Sequence, residues 1–279
     1  MNTGIMVAPN GARLLKNEHE ELPVRTEQIV HTAIQCEKAG AQAIHLHVRD
    51  NTCKHVLDVN RYQETINLIK KECSNDFIIQ ATTEAVGMYK PHEMISLIKN
   101  LKPEATSVAI KELLPSNDNK EELINARDFY KFARDENIGV QHILYSNEDL
   151  IKFHKLLEQE IIVGDKHSIL FVLGRYVKDQ QSDTTELIPY LQTLKELKLE
   201  KMVHWMLCAF GQKEIPSLVA AAVLGGHSRI GFENSRVMPN GIKAKNNESQ
   251  VNYLKNQFQA LNINNVKVNQ MQEILGIFK

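Results

Sequence analysis

The chain has 279 residues, 43% of them hydrophobic, and its 33 Lys and Arg against 34 Asp and Glu leave a formal net charge of −1. That balance supplies no basic field for nucleic acid and no acidic tail for a charge-driven partner. No run reaches the roughly 18 consecutive apolar residues of a membrane span, and MNTGIMVAPNG has neither a basic n-region nor a long apolar stretch; with Cys36, Cys53, Cys73 and Cys208 far apart and no CxxC, a cytoplasmic chain with reduced thiols is expected.

Taken in chain order, short β-rich apolar runs alternate with helical spacing. Residues 4–8 are the first predicted strand and 43–48 the second. Val59, Tyr62, Ile66 and Ile69 then recur at helical spacing behind an N-cap at Asp58. Strands follow at 77–81 and 106–110, with Pro91 between them where a first helical turn tolerates proline. The fifth strand is 139–144, and Leu150, Phe153 and Leu157 form a stripe behind a cap at Asn147. The sixth strand is 168–173, and Leu187, Leu191 and Leu194 follow Thr184 and Thr185. Strands at 202–207 and 228–232 complete the set, with Pro216 opening a helix between them and Val251, Leu254, Phe258 and Leu261 marking the last long helix.

Eight strands alternating with about eight helices predict a (β/α)8 barrel, one domain over residues 1–279. A doubly wound open sheet fits less well, because no GxGxxG follows the first strand. In a barrel, chemistry sits where strands end and βα loops begin.

The second strand ends in AIHLHVRD. Residues two apart on a strand share a face, so His45 and His47 present two imidazoles side by side. Neutral imidazole suits zinc and neighbouring transition metals; two polar residues lining a pocket, or a satisfied core histidine, is the plainer reading. The eighth strand ends in HSRIGFENS, where Glu233 is the first carboxylate. Barrel closure returns strand eight beside strand one, near strand two, so Glu233 is expected to face the histidine pair. Two histidines and a carboxylate make a three-ligand site for one divalent ion per chain, with positions open for water or substrate. An N-cap or surface acid is the alternative for Glu233.

Other candidates gather on the same rim: Arg49 and Asp50, Thr82, Thr83 and Glu84, Lys111 and Glu112, and Arg175. Arg49 and Asp50 are read either as site residues or as a pair with each other. Arg229 shares the face of Glu233 by period two, placed to meet an anionic substrate or a barrel carboxylate. His204 is read as structural first. His92, His142, His154, His167 and Cys208 have no partner that the sequence names.

The stretch LPVRTEQIVHTAIQCEKAGAQAIHLHVRD, together with GGHSRIGFEN, resembles the β-keto acid cleavage enzymes, and the likeness runs over nearly the whole chain to ILGI. The resemblance implies a (β/α)8 barrel with zinc on the HxH pair and the glutamate of RxGxE, here His45, His47 and Glu233. It implies that a β-keto acid and acetyl-CoA give acetoacetate and the CoA thioester of the remaining acyl group. The ion would act as a Lewis acid on the keto oxygen, and the site would fix the keto acid against the thioester. Arg229 matches the arginine that assists the base, Thr82 and Thr83 match the hydroxyls that bind the keto acid carboxylate, and a homo-oligomer, dimer or tetramer, is implied.

Departures from the family pattern predict a divergent branch. Where the family places an aspartate that works with the arginine as base, this chain has Asn234, a neutral amide that cannot accept a proton at pH 7. Glu84, Glu112 and His204 are the candidate substitutes. The third loop reads TTEAVG instead of a glycine turn, and Lys111 and Glu112 replace a glycine and a small hydroxyl residue. The first loop, APNGARLLKNEHEELP, carries Arg13, Lys16 and His19, which predict a polar or anionic substrate tail. Glu84 and Glu112 act in the opposite sense, and Arg13 pairs with one of them in the structural reading. A barrel hydrolase driven by metal-bound water and a ligand-binding relative without turnover are the competing functions; the histidine pair on strand two, not strand one, disfavours the first.

Overall fold

The computed structural model describes residues 1–116 and 119–278. Eight parallel strands close into a barrel: β1 (Ile5–Val7), β2 (Ala43–Leu46), β3 (Ile78–Thr82), β4 (Ala105–Ala109), β5 (Gly139–Leu144), β6 (His167–Leu173), β7 (Val203–Ala209) and β8 (His227–Ile230). Closure is made by Met6, which pairs with Ala43 of β2 on one side and Arg229 of β8 on the other. Around the strands run α1 (Thr26–Ala39), α2 (Val59–Glu72), α3 (Pro91–Leu101), α4 (Lys120–Asp135), α5 (Asn147–Glu158), α6 (Leu187–Glu196), α7 (Glu214–Val223) and α8 (Asn247–Ala260).

Period-two alternation builds two cores from the same strands. Outward residues such as Ile44, Leu46, Ile79, Ile169 and Phe171 pack against helix residues that include Ile29, Tyr62, Ile66 and Phe153. Inward residues Met6, Ala43, Ile78, Ala105, Leu170 and Met206 fill the barrel. A last helix, Val268–Ile274, closes the end opposite the βα loops by inserting Met271, Ile274 and Leu275 into that inner cluster. Each large side chain so buried contributes about 1.5–3 kcal/mol.

All eight predicted strands are present, with their ends moved. β2 stops at Leu46 and β8 at Ile230, so His47 and Glu233 lie just beyond the ladder, in the loops. The helix starts show which local signals win. Asp58 caps α2 by accepting from Arg61 N at 2.9 Å, as its position predicts. For α5 the cap is Ser146, not Asn147: the serine hydroxyl is the group that accepts from Asp149 N. Before α6, Asp183 caps a 3-10 turn over Thr184–Glu186 and displaces Thr184 and Thr185, because its carboxylate takes Thr185 N while Glu186 takes Asp183 N. Leu261 falls after α8 and is exposed, so its stripe ends at Phe258. The four cysteines are free thiols, and no described helix is long and apolar enough to cross a membrane.

Candidate metal centre

Strand parity brings His45 and His47 onto one side of β2, and their Nε2 atoms stand 3.1 Å apart. Glu233 Oε2 lies 3.6 Å from His45 Nε2 and 3.5 Å from His47 Nε2. The three donor atoms all fall within 4.8 Å of one another. Two glycines allow this approach. Gly231 has φ 142, and a Cβ there would strike the Ala8 carbonyl, so β8 leaves the ladder against the end of β1. Gly11 has φ 58, and a Cβ there would strike the Glu233 side chain. Arg49 fixes that first loop by donating from Nη2 to the carbonyls of Asn10 and Gly11, so it is spent on backbone. Asp50 caps its own turn by accepting from Thr52 N and Lys54 N, and the two do not pair.

A line of buried amides sets the orientation of His45. Ser168 Oγ donates to the carbonyl of Ile274, Gln141 Nε2 to Ser168 Oγ (3.1 Å), Gln80 Nε2 to Gln141 Oε1 (3.1 Å), and His45 Nδ1 to Gln80 Oε1 (2.7 Å). Each donor commits the next acceptor, so the proton sits on Nδ1 and the Nε2 lone pair faces Glu233. Burial pushes the His45 pKa down to about 4 and that of His47 well below the usual histidine range, so both rings are neutral at pH 7. Burial opposes ionisation of Glu233, but the Arg229 guanidinium, 3.2 Å from Oε1, together with the two imidazoles outweighs it and holds the carboxyl well below the usual range. Glu233 Oε2 is buried with no hydrogen-bond partner among the described residues. Two neutral imidazoles and an orphaned carboxylate oxygen around one point form an N,N,O donor set that fits a divalent ion, zinc or a neighbouring transition metal.

Arg229 is 3% exposed, and its Nη2 reaches Cys208 Sγ, Glu233 Oε1 and Asn234 Oδ1, each at 3.2 Å. Its Nε and Nη1 are buried without partners among the described residues. Asn234 turns its Nδ2 to the Arg229 carbonyl (3.1 Å) and to Glu214 Oε1 (3.2 Å). Glu214, on the first turn of α7, is fully buried and also accepts from Gly231 N at 3.0 Å. Burial pushes its pKa well above the usual carboxylate range.

Glu84 stands at the rim. Its Oε2 is 3.9 Å from His47 Nε2, and its Oε1 is 3.5 Å from Arg175 Nη2 and 3.9 Å from Arg13 Nε. Burial, then repulsion from Glu233, raises its pKa to about 7 against the pull of Arg175. Two carboxylates thus share the site with their affinities for protons split: Glu233 ionises first, and Glu84 gives up its proton only around neutrality, where its ionised form can take one. A pocket of about 200 Å³ opens here, lined by Asn10, Gly11, Arg13, Glu84, Arg175 and Glu233. A larger cavity of about 330 Å³, against Tyr130, His142 and His167, lies among the segments that precede β5 and β6, away from this donor set.

The other predicted residues divide. Thr82 ends β3 with its Oγ1 accepting from Glu84 N (3.0 Å), which leaves its hydroxyl hydrogen to donate. Thr83 donates to the Ser107 carbonyl (2.9 Å), and Glu112 accepts from Ala85 N (3.1 Å), so both hold backbone. Arg13 reaches the pocket, whereas Lys16 donates to the Leu22 carbonyl and His19 is buried on Phe232 beside the Ala244 carbonyl. His204, near the start of β7, lies 3.9 Å from Glu273 of the last helix, at the end of the barrel opposite the donor set. Gln80, Gln141, Tyr145, Cys208 and Glu214 were not singled out by the sequence. The first three continue the inward parity of β3 and β5, a signal that register alone carries; Glu214 has no local signal.

The family model described as beta-keto acid cleavage enzyme matches residues 3–277. The chain is 26% identical over 287 residues to a 3-keto-5-aminohexanoate cleavage enzyme of Acetoanaerobium sticklandii, covering 99% of this chain and 98% of that one. It is 22% identical over 306 residues to a 3,5-dioxohexanoate:acetyl-CoA acetone transferase of Paraburkholderia graminis, covering 98% and 95%. Among solved structures, a binary complex of ObcA with oxaloacetate superposes with a TM-score of 0.70 at 13% identity, covering 93% of this chain and 68% of that longer one, a likeness of fold.

Proposed function

This chain belongs to the beta-keto acid cleavage enzyme family, and from that premise we propose that it condenses a β-keto acid with acetyl-CoA, giving acetoacetate and the CoA thioester of the remaining acyl group. The observation that carries this reading is the convergence of His45, His47 and the orphaned Glu233 Oε2 on one point at the barrel mouth. The donor set suits one zinc ion per chain, which when bound polarises a keto oxygen and acidifies the adjacent carbon.

The chain's own groups supply the rest. Arg229 keeps Glu233 ionised and retains two unpaired N–H edges, at Nε and Nη1, for negative charge that develops nearby. Thr82 offers a hydroxyl hydrogen to the keto acid carboxylate, beside the backbone it already orders. Asn234 has both ends of its amide committed and takes no proton. Glu84 is the base in this reading: Arg175 and Arg13 lean on Oε1, while Oε2 faces the histidine pair and takes the proton from the carbon next to the keto group. Glu112 and His204 are unsuited, one spent on Ala85 N and the other near Glu273. The names of the two relatives, one a keto acid cleavage enzyme and one an acetyl-CoA acetone transferase, support the same pair of reactants. We also read the chain as one domain, cytoplasmic and a homo-oligomer, dimer or tetramer; light scattering tests the last.

Assays of a β-keto acid panel with and without acetyl-CoA test the function. Acetoacetate formed only with the thioester supports it. Hydrolysis that is indifferent to the thioester favours a barrel hydrolase, and binding without turnover favours a ligand-binding relative; either result rejects the proposal.

A further inference from the structure

Lys111 lies in the short helical turn Ile110–Leu113 that leaves β4, at a position where the function above assigns no role. Its Nζ is 3.9 Å from the centre of the Tyr145 ring and 3.7 Å from that of Tyr176. The two rings are 5.2 Å apart at 59°. Three successive βα loops, after β4, β5 and β6, thus hold one ammonium group between two phenol faces. Tyr145 lies within electrostatic reach of Glu84, Glu112 and Arg229, and Tyr176 follows Arg175, which touches Glu84. The clamp therefore stands next to Arg175, one of the residues that line the pocket.

The charges around it are unequally spent. Arg13 and Arg175 both lean on Glu84. Glu112, next to Lys111 in the chain, uses Oε2 to fix Ala85 N. No carboxylate of the described residues comes within 4.0 Å of the Lys111 ammonium among the ion pairs of the mouth. Aromatic faces attract a cation and fix its place without neutralising it, so its N–H donors remain available. A fixed, uncompensated ammonium beside a reaction site is a seat for an anion.

We propose that Lys111, clamped by Tyr145 and Tyr176, binds a second anionic group of the reactants, remote from the reacting carbon: a terminal carboxylate of a dicarboxylic β-keto acid, or a phosphate of coenzyme A. The inference rests on the keto acid reading above and deepens it by naming a charge the substrate pair must carry. It also moves the anion-selecting role from the first loop, where Lys16 and His19 are turned to backbone, to the opposite side of the mouth.

Equilibrium binding to the zinc-loaded protein tests it without turnover. One matched pair is 3-oxoadipate and 3-oxohexanoate, which differ in the terminal carboxylate. The other is coenzyme A and pantetheine, which lacks the phosphates together with the adenosine they carry. For wild type, one charged member binds more tightly than its uncharged partner. Lys111→Met weakens that charged ligand roughly 10- to 100-fold, the range of a hydrogen bond to a charged group, and leaves its partner unchanged. Lys111→Arg restores most of the difference. The pair that responds identifies the source of the anion. Equal loss for charged and uncharged members, no loss for either pair, or no preference in wild type overturns the proposal. Because no acetoacetate is measured, a failed cleavage assay and a failed anion seat are separate results.

Discussion

Asn234 donates its amide to Glu214 Oε1 at 3.2 Å while its own Oδ1 accepts from Arg229. The amide joins a buried guanidinium to a buried carboxyl group, one donor and one acceptor, and that is the physical reason an amide suits this position.

Asn234→Asp is therefore expected to disrupt the site and not to create a base. Two carboxyl groups would face each other across the present hydrogen bond and compete for one proton, and the loss of a buried donor costs about 1–3 kcal/mol, more where charge is left unpaired. Urea denaturation should show Asn234→Asp less stable than wild type and the double variant Glu214→Gln, Asn234→Asp recovering part of the loss. A single variant as stable as wild type rejects the relay.

The split between Glu84 and Glu233 predicts a pH dependence in the metal-free protein. The folded Glu84 pKa is about 7 against an ordinary value of 4.5. A carboxyl whose pKa is raised on folding contributes stability that is full below the unfolded value and is lost as pH rises through the folded one. His45, depressed to about 4, acts in the other direction, gaining stability as pH rises toward 6.5. Subtracting the curve of Glu84→Gln isolates the first effect. The stability of wild type relative to Glu84→Gln should fall by on the order of 1–3 kcal/mol between pH 4.5 and 7.5. A flat difference shows that Glu84 does not hold a proton there.

Gln80 fixes the tautomer of His45 through Nδ1. Gln80→Leu removes that acceptor and leaves Gln141 Oε1 without its donor. Zinc affinity, read by competition with a chelator, should drop about 10- to 100-fold, the usual consequence of losing the partner of a ligating histidine. Unchanged affinity would mean the line of amides is structural only.

The eight strands were legible because alternation and turn residues repeat eight times, and the shared face of His45 and His47 follows from the same rule. What escaped lies beyond the ladder. His47 and Glu233 were named as ligands, but their strands stop before them, and no local signal shows that Gly11 must pass so close to Glu233 and Gly231 to Ala8. Lys16 and His19 read as mouth residues because loop charges are ordinarily solvated, but Leu22, Ala244 and Phe232 claim them. The link from Glu214 to Asn234 joins residues 20 positions apart on different elements and exists only once the barrel is closed.

Arg229→Ala, compared in zinc-loaded protein, should lose more in turnover than in stability. The ion shares the charge of Glu233 there, while the guanidinium edge is no longer available when charge develops in the reaction. Loss of such a contact lowers kcat/KM by roughly 2–4 kcal/mol in activation free energy. An unfolded variant, or a fully active one, contradicts the role given to Arg229.

The most direct measurement is the metal content of purified wild type and His47→Ala by elemental analysis. His47 Nε2 stands 3.1 Å from His45 Nε2 and 3.5 Å from Glu233 Oε2, at the centre of the donor set. Wild type should carry one divalent ion per chain, and His47→Ala should retain little while keeping its fold by circular dichroism. Full occupancy in His47→Ala would contradict the assignment of the metal to His45, His47 and Glu233, and with it the reaction built on that site.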